Sequence, residues 1–343
     1  MIICGDFAYP FNESDVLQLD NISADFIAKA KIVNFESTLS SINSAKVASG
    51  IAVSSSDKCF DVLSSLNVVG LTLSNNHILD FSYKPSELFS KFDDRNLKYT
   101  GLGADIGEAK TPILFGEYLI LNFGWETIGC KPARRDTLGC NPLEYTHVKS
   151  VVLEALHDNP TLKIVVIFHW NYEFEGYPQP AHRMLAKELI DMGVESIIGH
   201  HSHIIQGAEL YKGKAIIYGL GNFYLPKFNY SGYYLDFPEV AYTGLAIDIT
   251  NLDSYSVFSH NNELVVKGPI PLFENEDVKK VSGFSGLNDA EYLSFFKENR
   301  LKRKLLPIYK SWGMQSYIND KFVQFRQVMI DFLVRSNLKK HRK

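Results

Sequence analysis

At 343 residues, with 45% hydrophobic and 22% charged side chains, the chain has the composition of a folded globular protein, long enough for one large domain with an appendage or for two domains. Its net charge of −4 conceals a split, because residues 297–343 hold thirteen Lys or Arg against three acids and leave the rest strongly acidic. An acidic body with no recognition motif, and no basic patch interleaved with aromatics, argues against nucleic acid as a partner.

The chain opens on MIICGDFAYP, which has neither a basic leader nor an apolar stretch of signal-peptide length. No later run approaches the roughly 20 apolar residues that a membrane span requires, so the expectation is a cytoplasmic protein. Cys4, Cys59, Cys130 and Cys140 are scattered without a CxxC pair, which points to reduced thiols rather than a disulfide framework or a cysteine zinc site. In chain order, MIICGDF, KIVNFE, VVGLTLSNN, KIVVIFHW and VESIIGHH each combine an apolar run with an abrupt polar ending, the pattern of a strand in a covered sheet. Between them SADFIAKA, KCFDVLSSL, KPSELFSKFDDR, THVKSVVLEALHD and QPAHRMLAKELIDMG have helical spacing. TPILFGEYLILNFGWE and AELYKGKAIIYGLGNF read as hairpins, the second turning at Lys212 and Gly213. Alternating strands and helices predict an α/β architecture with a largely parallel or mixed sheet over residues 1–268. From about Pro269 the sheet rhythm gives way to helices, so residues 269–343 are expected to form a helical, basic C-terminal region.

The polar endings carry the chemistry. Asp6 closes the first strand, Glu36 the second, Asn75, Asn76 and His77 the third, His169 a later one, and His200, His201 and His203 the last. In open α/β sheets ligands bind beyond the carboxyl ends of the strands, so groups far apart in sequence can converge on one cleft. Imidazole nitrogens, carboxylates and an amide carbonyl form a mixed nitrogen and oxygen set, suited to zinc, manganese, iron or cobalt rather than calcium.

The ordered motifs GD (Gly5, Asp6), NFE (Asn34 to Glu36), SNNHILDF (Ser74 to Phe81), HWNYEFE (His169 to Glu175), GHHSHIIQ (Gly199 to Gln206) and IIYGLGNF (Ile216 to Phe223) resemble the bacterial capsule-synthesis CapA family. That family is named for poly-gamma-glutamate capsules and is related to the calcineurin-like metallophosphoesterases. The resemblance runs over about residues 1–250. It implies a layered metallophosphoesterase-like sheet sandwich flanked by helices, one or two divalent ions (manganese, iron or zinc), and hydrolysis of a phosphoester or other anionic bond in making a surface polymer. Its alternative is a non-catalytic assembly factor that holds an anionic polymer or precursor in the same cleft. Carried over by position, the resemblance implies metal ligands at Asp6, Glu36, Asn76, His169, His201 and His203, with His77 stabilising the transition state or protonating the leaving group.

Two departures bear on the ion count. The superfamily's usual Asp-x-His has Ala8 in its third position here, and the second motif reads NFE where aspartates are usual. His200 is then an extra imidazole that replaces the missing ligand, faces a substrate, or, as the preferred reading, hydrogen-bonds a neighbouring loop. Asp80 either orients His77 as part of the catalytic pair or opens the next helix. Glu173 and Glu175 either hold a ligand ring or form a solvated acidic loop. Asn34, Glu173, His200 and Asn222 complete the substrate-side candidates, together with Arg134 and Arg135 from the weakly periodic stretch Gly124–Thr146. That stretch reads as a solvated insertion or as a cationic lid.

Near the carboxyl end Phe322, Phe325, Met329, Phe332 and Leu333 recur at helical spacing ahead of a basic cluster. Such a stripe is expected to pack on its own domain, with the inner membrane surface or a capsule synthase complex as the other candidate partner.

Overall fold

The computed structural model describes residues 1–48, 50–230, 232–302 and 306–335. Among these, two large sheets carry the fold, an eight-stranded and a six-stranded one. The first is built on β1 (Ile2–Phe7), β2 (Lys31–Phe35), β3 (Val68–Thr72) and β4 (Lys98–Thr100), all parallel in that order. The second is built from β5 (Ile113–Phe115), β6 (Tyr118–Gly124), β7 (Lys163–His169), β8 (Ser196–His200), β9 (Ala208–Tyr211) and β10 (Lys214–Ile217), in the order β9-β10-β8-β7-β6-β5. In it β6, β7, β8 and β10 run parallel. The chain then returns to the first sheet. On the edge of β1 away from β2, β11 (Asn222–Tyr224) pairs with that strand's end, and β12 (Thr243–Asp248), β13 (Asp253–His260) and β14 (Glu263–Pro271) extend the sheet antiparallel from its beginning.

Every one of the five strands expected from an apolar run with a polar end is present. So are both hairpins, the second turning at Lys212 (φ 50°) and Gly213 (φ 77°), the two left-handed residues a tight hairpin favours. The outer face of the first sheet is covered by α1 (Ala24–Ala28), α2 (Cys59–Ser65) and α3 (Pro85–Asp93), whose Phe26, Leu63 and Phe92 join Val33 and Leu71 in one apolar cluster. The outer face of the second is covered by α4 (Tyr145–Asp158) and α5 (Pro180–Met192), through Val148, Val152, Leu185 and Leu189. α5 has the punctuation its sequence announces, with Pro180 in its first turn and Gly193 as its left-handed cap. A third cluster takes Ile3, Ile32 and Ile247 from one sheet and Ile120, Val165 and Ile198 from the other, so the sheets share a core. The chain is thus a mixed α/β protein.

Beyond β14 lie α6 (Glu276–Val281), α7 (Asp289–Asn299) and α8 (Met314–Arg335). α7 starts with a capping box between Asn288 and Glu291, and its Tyr292 and Phe296 enter the second-sheet cluster with Phe284 and Tyr309. α8 departs from expectation. Phe322, Phe325 and Met329 are exposed rather than packed on the body, because the inward side of the helix is taken by Ser316, Val323 and Asp320. The Asp320 carboxylate accepts from Thr127 Oγ1 (2.6 Å) and from the Tyr309 hydroxyl (2.7 Å). The basic run Lys339–Lys343 lies outside the described residues. No helix among the described residues is long and apolar enough to cross a membrane.

Gly5 sets how closely β1 and β11 approach. A Cβ there would stand 2.1 Å from Gly221 O and 3.0 Å from Phe223 N, backbone atoms that cannot swing aside. Gly5→Ala is therefore expected to lower the unfolding free energy by about 3 kcal/mol, read as a reduced midpoint in urea denaturation.

Candidate metal centre

The parallel strands of both sheets bring their carboxyl ends to one place. Asn34, near the end of β2, donates from Nδ2 to Asp6 Oδ1 (2.7 Å) at the end of β1 and stands 3.3 Å from His169 Nδ1 at the end of β7. One carboxamide thus links the two sheets. His169 Nε2 lies 2.7 Å from Asn76 Oδ1, 3.1 Å from His201 Nδ1 and 3.5 Å from Glu36 Oε1, four donor-bearing groups around one point. Ligand atoms of Glu36, His201 and His203 all fall within 4.8 Å of one another. His203 Nδ1 is also 3.0 Å from Asn222 Oδ1, 3.4 Å from Asp6 Oδ2 and 3.9 Å from Glu36 Oε2. The structure therefore gathers Asp6, Asn34, Glu36, Asn76, His169, His201, His203 and Asn222 into one cluster.

Local geometry explains how the chain reaches it. β8 ends at His200, and the next turn places His201 at φ 86° and His203 at φ 57°, left-handed conformations that non-glycine residues seldom adopt and that concentrate at functional sites. Gly199 precedes them because a side chain there would strike Tyr218 O at 2.0 Å. The Asn76–His77 turn is held by Asn75, whose Oδ1 accepts the N–H groups of His77 (3.1 Å) and Ile78 (2.9 Å) while its Nδ2 donates to Phe35 O (2.8 Å). His77 Nδ1 is 2.6 Å from Asp80 Oδ2, which also accepts the N–H of Val53 (2.8 Å). Asp80 consequently orients the His77 ring. It does not open a helix, since α3 begins after Lys84. With 17% of its side chain exposed, His77 stands at the rim of the cluster, whereas Asp6, Glu36 and His169 are fully enclosed.

The electrostatics of the enclosed groups diverge. Burial alone would raise the Asp6 carboxyl, but the imidazoles of His200 and His203 outweigh it and hold it well below the ordinary carboxylate range. Burial, and then the charge of Asp6, push Glu36 up to about 8. Burial opposes protonation of His203, yet Glu36 and Asp6 carry it up to about 10. His169 and His201 are pushed well below their usual value by burial. His77 rises despite burial, drawn up by Asp80. Both carboxylate oxygens of Glu36 are buried without a hydrogen-bond partner. A buried carboxylate in that condition is costly unless a cation or proton compensates it. Facing the neutral imidazoles of His169 and His201 and the amide oxygen of Asn76, it fits a borderline divalent ion held by Glu36, His201 and His203, an ion that would take the place of the His203 proton, with His169, Asn76 and Asp6 alongside.

Other candidates stand apart. His200 Nδ1 is 3.3 Å from Asp6 Oδ1, but neither ring nitrogen is in hydrogen-bond geometry, so the preferred loop hydrogen bond is absent. As deeply buried as Asp6, the ring sits against that carboxylate rather than at the opening, which also tells against contact with a substrate. Glu173 is half-buried and near enough for its charge to raise His201 and His203. The Glu175 carboxylate receives the N–H of Leu301 (3.1 Å), so it ties down the C-terminal segment. Arg134 and Arg135 are not brought to the site. They lie exposed on a turn closed by Arg134 and Thr137 and bonded to Ile106 N, because Gly139–Cys140 pairs with Leu102–Gly103 and pins the stretch there. A groove of about 780 Å³ opens elsewhere, between β4 and β5, lined by residues such as Asp93, Lys98, Tyr99 and Ile113. No imidazole lines it, and the chemistry lies with the histidines. Phe174 and Phe237, with ring centres 6.0 and 5.0 Å from that of His203, wall the cluster and had no sequence signal of their own.

Comparison with known proteins matches residues 18–227, more than half of the chain, to the family described as bacterial capsule synthesis protein PGA_cap. The matched span holds all of the clustered residues except Asp6. The chain is 30% identical over 168 residues to the PGA biosynthesis protein CapA of Bacillus subtilis, covering 47% of this chain and 44% of that protein. It is 28% identical over 189 residues to the capsule biosynthesis protein CapA of Bacillus anthracis, covering 53% and 46%. It is also 25% identical over 231 residues to a probable polyglutamine synthesis accessory protein of Mycobacterium tuberculosis, covering 63% and 60%. The chain thus spans about half the length of the curated relatives it matches.

Glu36 makes the metal-free protein sensitive to pH. Its carboxyl stands at about 8 when folded against 4.5 ordinarily, so the folded state holds the extra proton between those values. The stability it contributes is full below about 4.5 and is lost as pH rises to about 8. With a chelator present, urea titrations of Glu36→Gln and the parent across that window should diverge in the variant's favour with rising pH, by up to about 1.4 kcal/mol per pH unit.

Proposed function

The chain belongs to the family of bacterial capsule synthesis proteins, and from that premise we propose that it is a metal-dependent hydrolase acting on a phosphoester or related anionic bond in the making of a surface polymer. The observation that carries this reading is the buried Glu36 carboxylate, without a hydrogen-bond partner and set among His169, His201 and His203. The fold reading runs the same way. Two facing sheets with helices outside, and a mixed nitrogen and oxygen cluster at the strands' carboxyl ends, support the metallophosphoesterase-type layering that the motifs resemble.

Glu36, His201 and His203 would hold the ion, with Asn76 and His169 completing its surroundings and Asn34 keeping Asp6 and His169 in register. When bound, a divalent cation lowers the pKa of its water toward about 7 and so supplies a nucleophile at neutral pH. His77 is the general acid of the scheme. Asp80 accepts from Nδ1, fixes the ring plane and favours the protonated imidazole, which can then pass its proton to the departing oxygen or face the charge gathering on the transferred group. Phe174 and Phe237 exclude water beside His203.

A second reading is a non-catalytic assembly factor that holds an anionic polymer or precursor in the same cleft. Ala8 favours it. In the resembled scheme its position bears a ligand, and here it is buried against Val53, Tyr230 and Phe237. The names of the relatives, two of them biosynthesis proteins and one an accessory protein, agree with either reading.

Elemental analysis of protein purified without added metal separates the two when combined with turnover of a chromogenic phosphodiester and phosphomonoester. The hydrolase reading expects near-stoichiometric manganese, iron or zinc, lost in His201→Ala. It also expects turnover that falls about 10²- to 10⁴-fold in His77→Ala with metal content unchanged. Metal without turnover of any anionic ester transfers the conclusion to the assembly factor.

A further inference from the structure

α8 is mounted with its apolar side outward. Ser316, Asp320 and Val323 turn toward the body, Asp320 through its bonds to Thr127 and Tyr309. Tyr317, Ile318, Phe322, Phe325, Val328 and Met329 are exposed, Phe325 at 66% and Val328 at 65%. At the helical 100° per residue these side chains occupy one continuous face roughly 140° wide. Charge is distributed with the same bias. Lys321 stands within the apolar face, its ammonium 5.4 Å from the centre of the Tyr317 ring, and Arg326 flanks it. The carboxylate of Asp320 is engaged with the body instead.

We propose that α8 is an interfacial helix that seats the protein on a membrane surface rich in anionic lipid. Three aromatic and three aliphatic side chains can enter the boundary between headgroups and acyl chains, while the cations among and around them meet anionic headgroups. Lys321 decides between a lipid surface and a second copy of the chain. In a helix pair its ammonium is enclosed in the apolar seam at a cost in stability, whereas at a bilayer its four-carbon stem lies along the apolar face and its charge reaches the headgroups. The helix would hold the body against the bilayer without crossing it, in keeping with the absence of any spanning helix among the described residues. This inference does not depend on the metal centre.

The test is co-sedimentation of the full chain with vesicles of phosphatidylcholine alone or with 30% phosphatidylglycerol, at low and high salt. Wild type should bind the anionic vesicles, less at high salt. Phe322→Ser/Phe325→Ser should weaken binding at least about tenfold, given the transfer free energy of even one phenylalanine side chain. Lys321→Glu/Arg326→Glu should reduce binding to anionic vesicles and leave that to neutral ones unchanged. Unaltered thermal melting of both variants shows that the fold is retained. Failure to bind anionic vesicles, or equal binding to neutral ones, overturns the proposal. So does a wild-type dimer in sedimentation velocity that the double serine variant dissolves while vesicles are ignored, because the face is then a contact between copies.

Discussion

The cleft depends on the way its two sheets are pinned at their carboxyl ends, and that pin is the Asn34 side chain between Asp6 and His169. It joins the His169–Asn76 and His203–Asp6 contacts in fixing the spacing of two carboxylates and several imidazoles across the junction. Burying Asp6 and Glu36 together is unfavourable, and the protein separates them electrostatically. Asp6 is kept ionised by His200 and His203, while Glu36, left without a hydrogen-bond partner, takes up a proton far more readily than an ordinary glutamate. Two like groups driven to opposite protonation tendencies by their surroundings are a recurrent sign of a working site. Here the asymmetry arises because the His200 and His203 imidazoles outweigh burial at Asp6, whereas at Glu36 burial and the neighbouring Asp6 charge prevail.

Rigid packing behind the cluster maintains this arrangement. Trp170, which follows His169, stacks on Phe168 (4.5 Å) and on His182 (5.2 Å), and His182 also meets Trp125 and Trp312. Burial holds His182 at about 3, so it behaves as a neutral aromatic plate whose Nδ1 bonds Asn171. On the other side Gly5 and Gly199 let backbone strands approach to distances that a methyl group would forbid. The left-handed His201 and His203 store local strain. That strain is tolerable because both flanks of the turn are fixed by strand pairing and stacked rings.

The sequence made the strands and their polar ends readable because each combines an apolar run with an abrupt change of residue type, a purely local signal. For the same reason the convergence of Asp6, Glu36, Asn76, His169, His201 and His203 is legible in the sequence alone. What stayed hidden was set by tertiary pairing. The destination of Arg134 and Arg135 follows from a two-residue ladder between Gly139–Cys140 and Leu102–Gly103, which no periodicity announces. The service of Asp80 to His77 depends partly on Val53 N, contributed by a separate loop. Phe237 reaches His203 from a segment with no distinguishing motif. In α8 the helical spacing was plain but its orientation was not, since an apolar stripe alone cannot state which side the body will take.

Ala8 ties these threads together. A small side chain beside a carboxylate could leave room for water and keep Asp6 partly solvated. Instead Ala8 is enclosed with Val53, Leu225, Tyr230 and Phe237, and Phe237 also stands over His203. Apolar infill on that side removes water from Asp6 and from His203 alike, which raises the cost of leaving either charge unpaired. The imidazoles of His200 and His203 stand 3.3 and 3.4 Å from the Asp6 carboxylate, while Glu36 meets His169 at 3.5 Å and His203 at 3.9 Å. Around Asp6 the structure thus sets two imidazoles and an aromatic wall on the side where Ala8 offers no ligand atom.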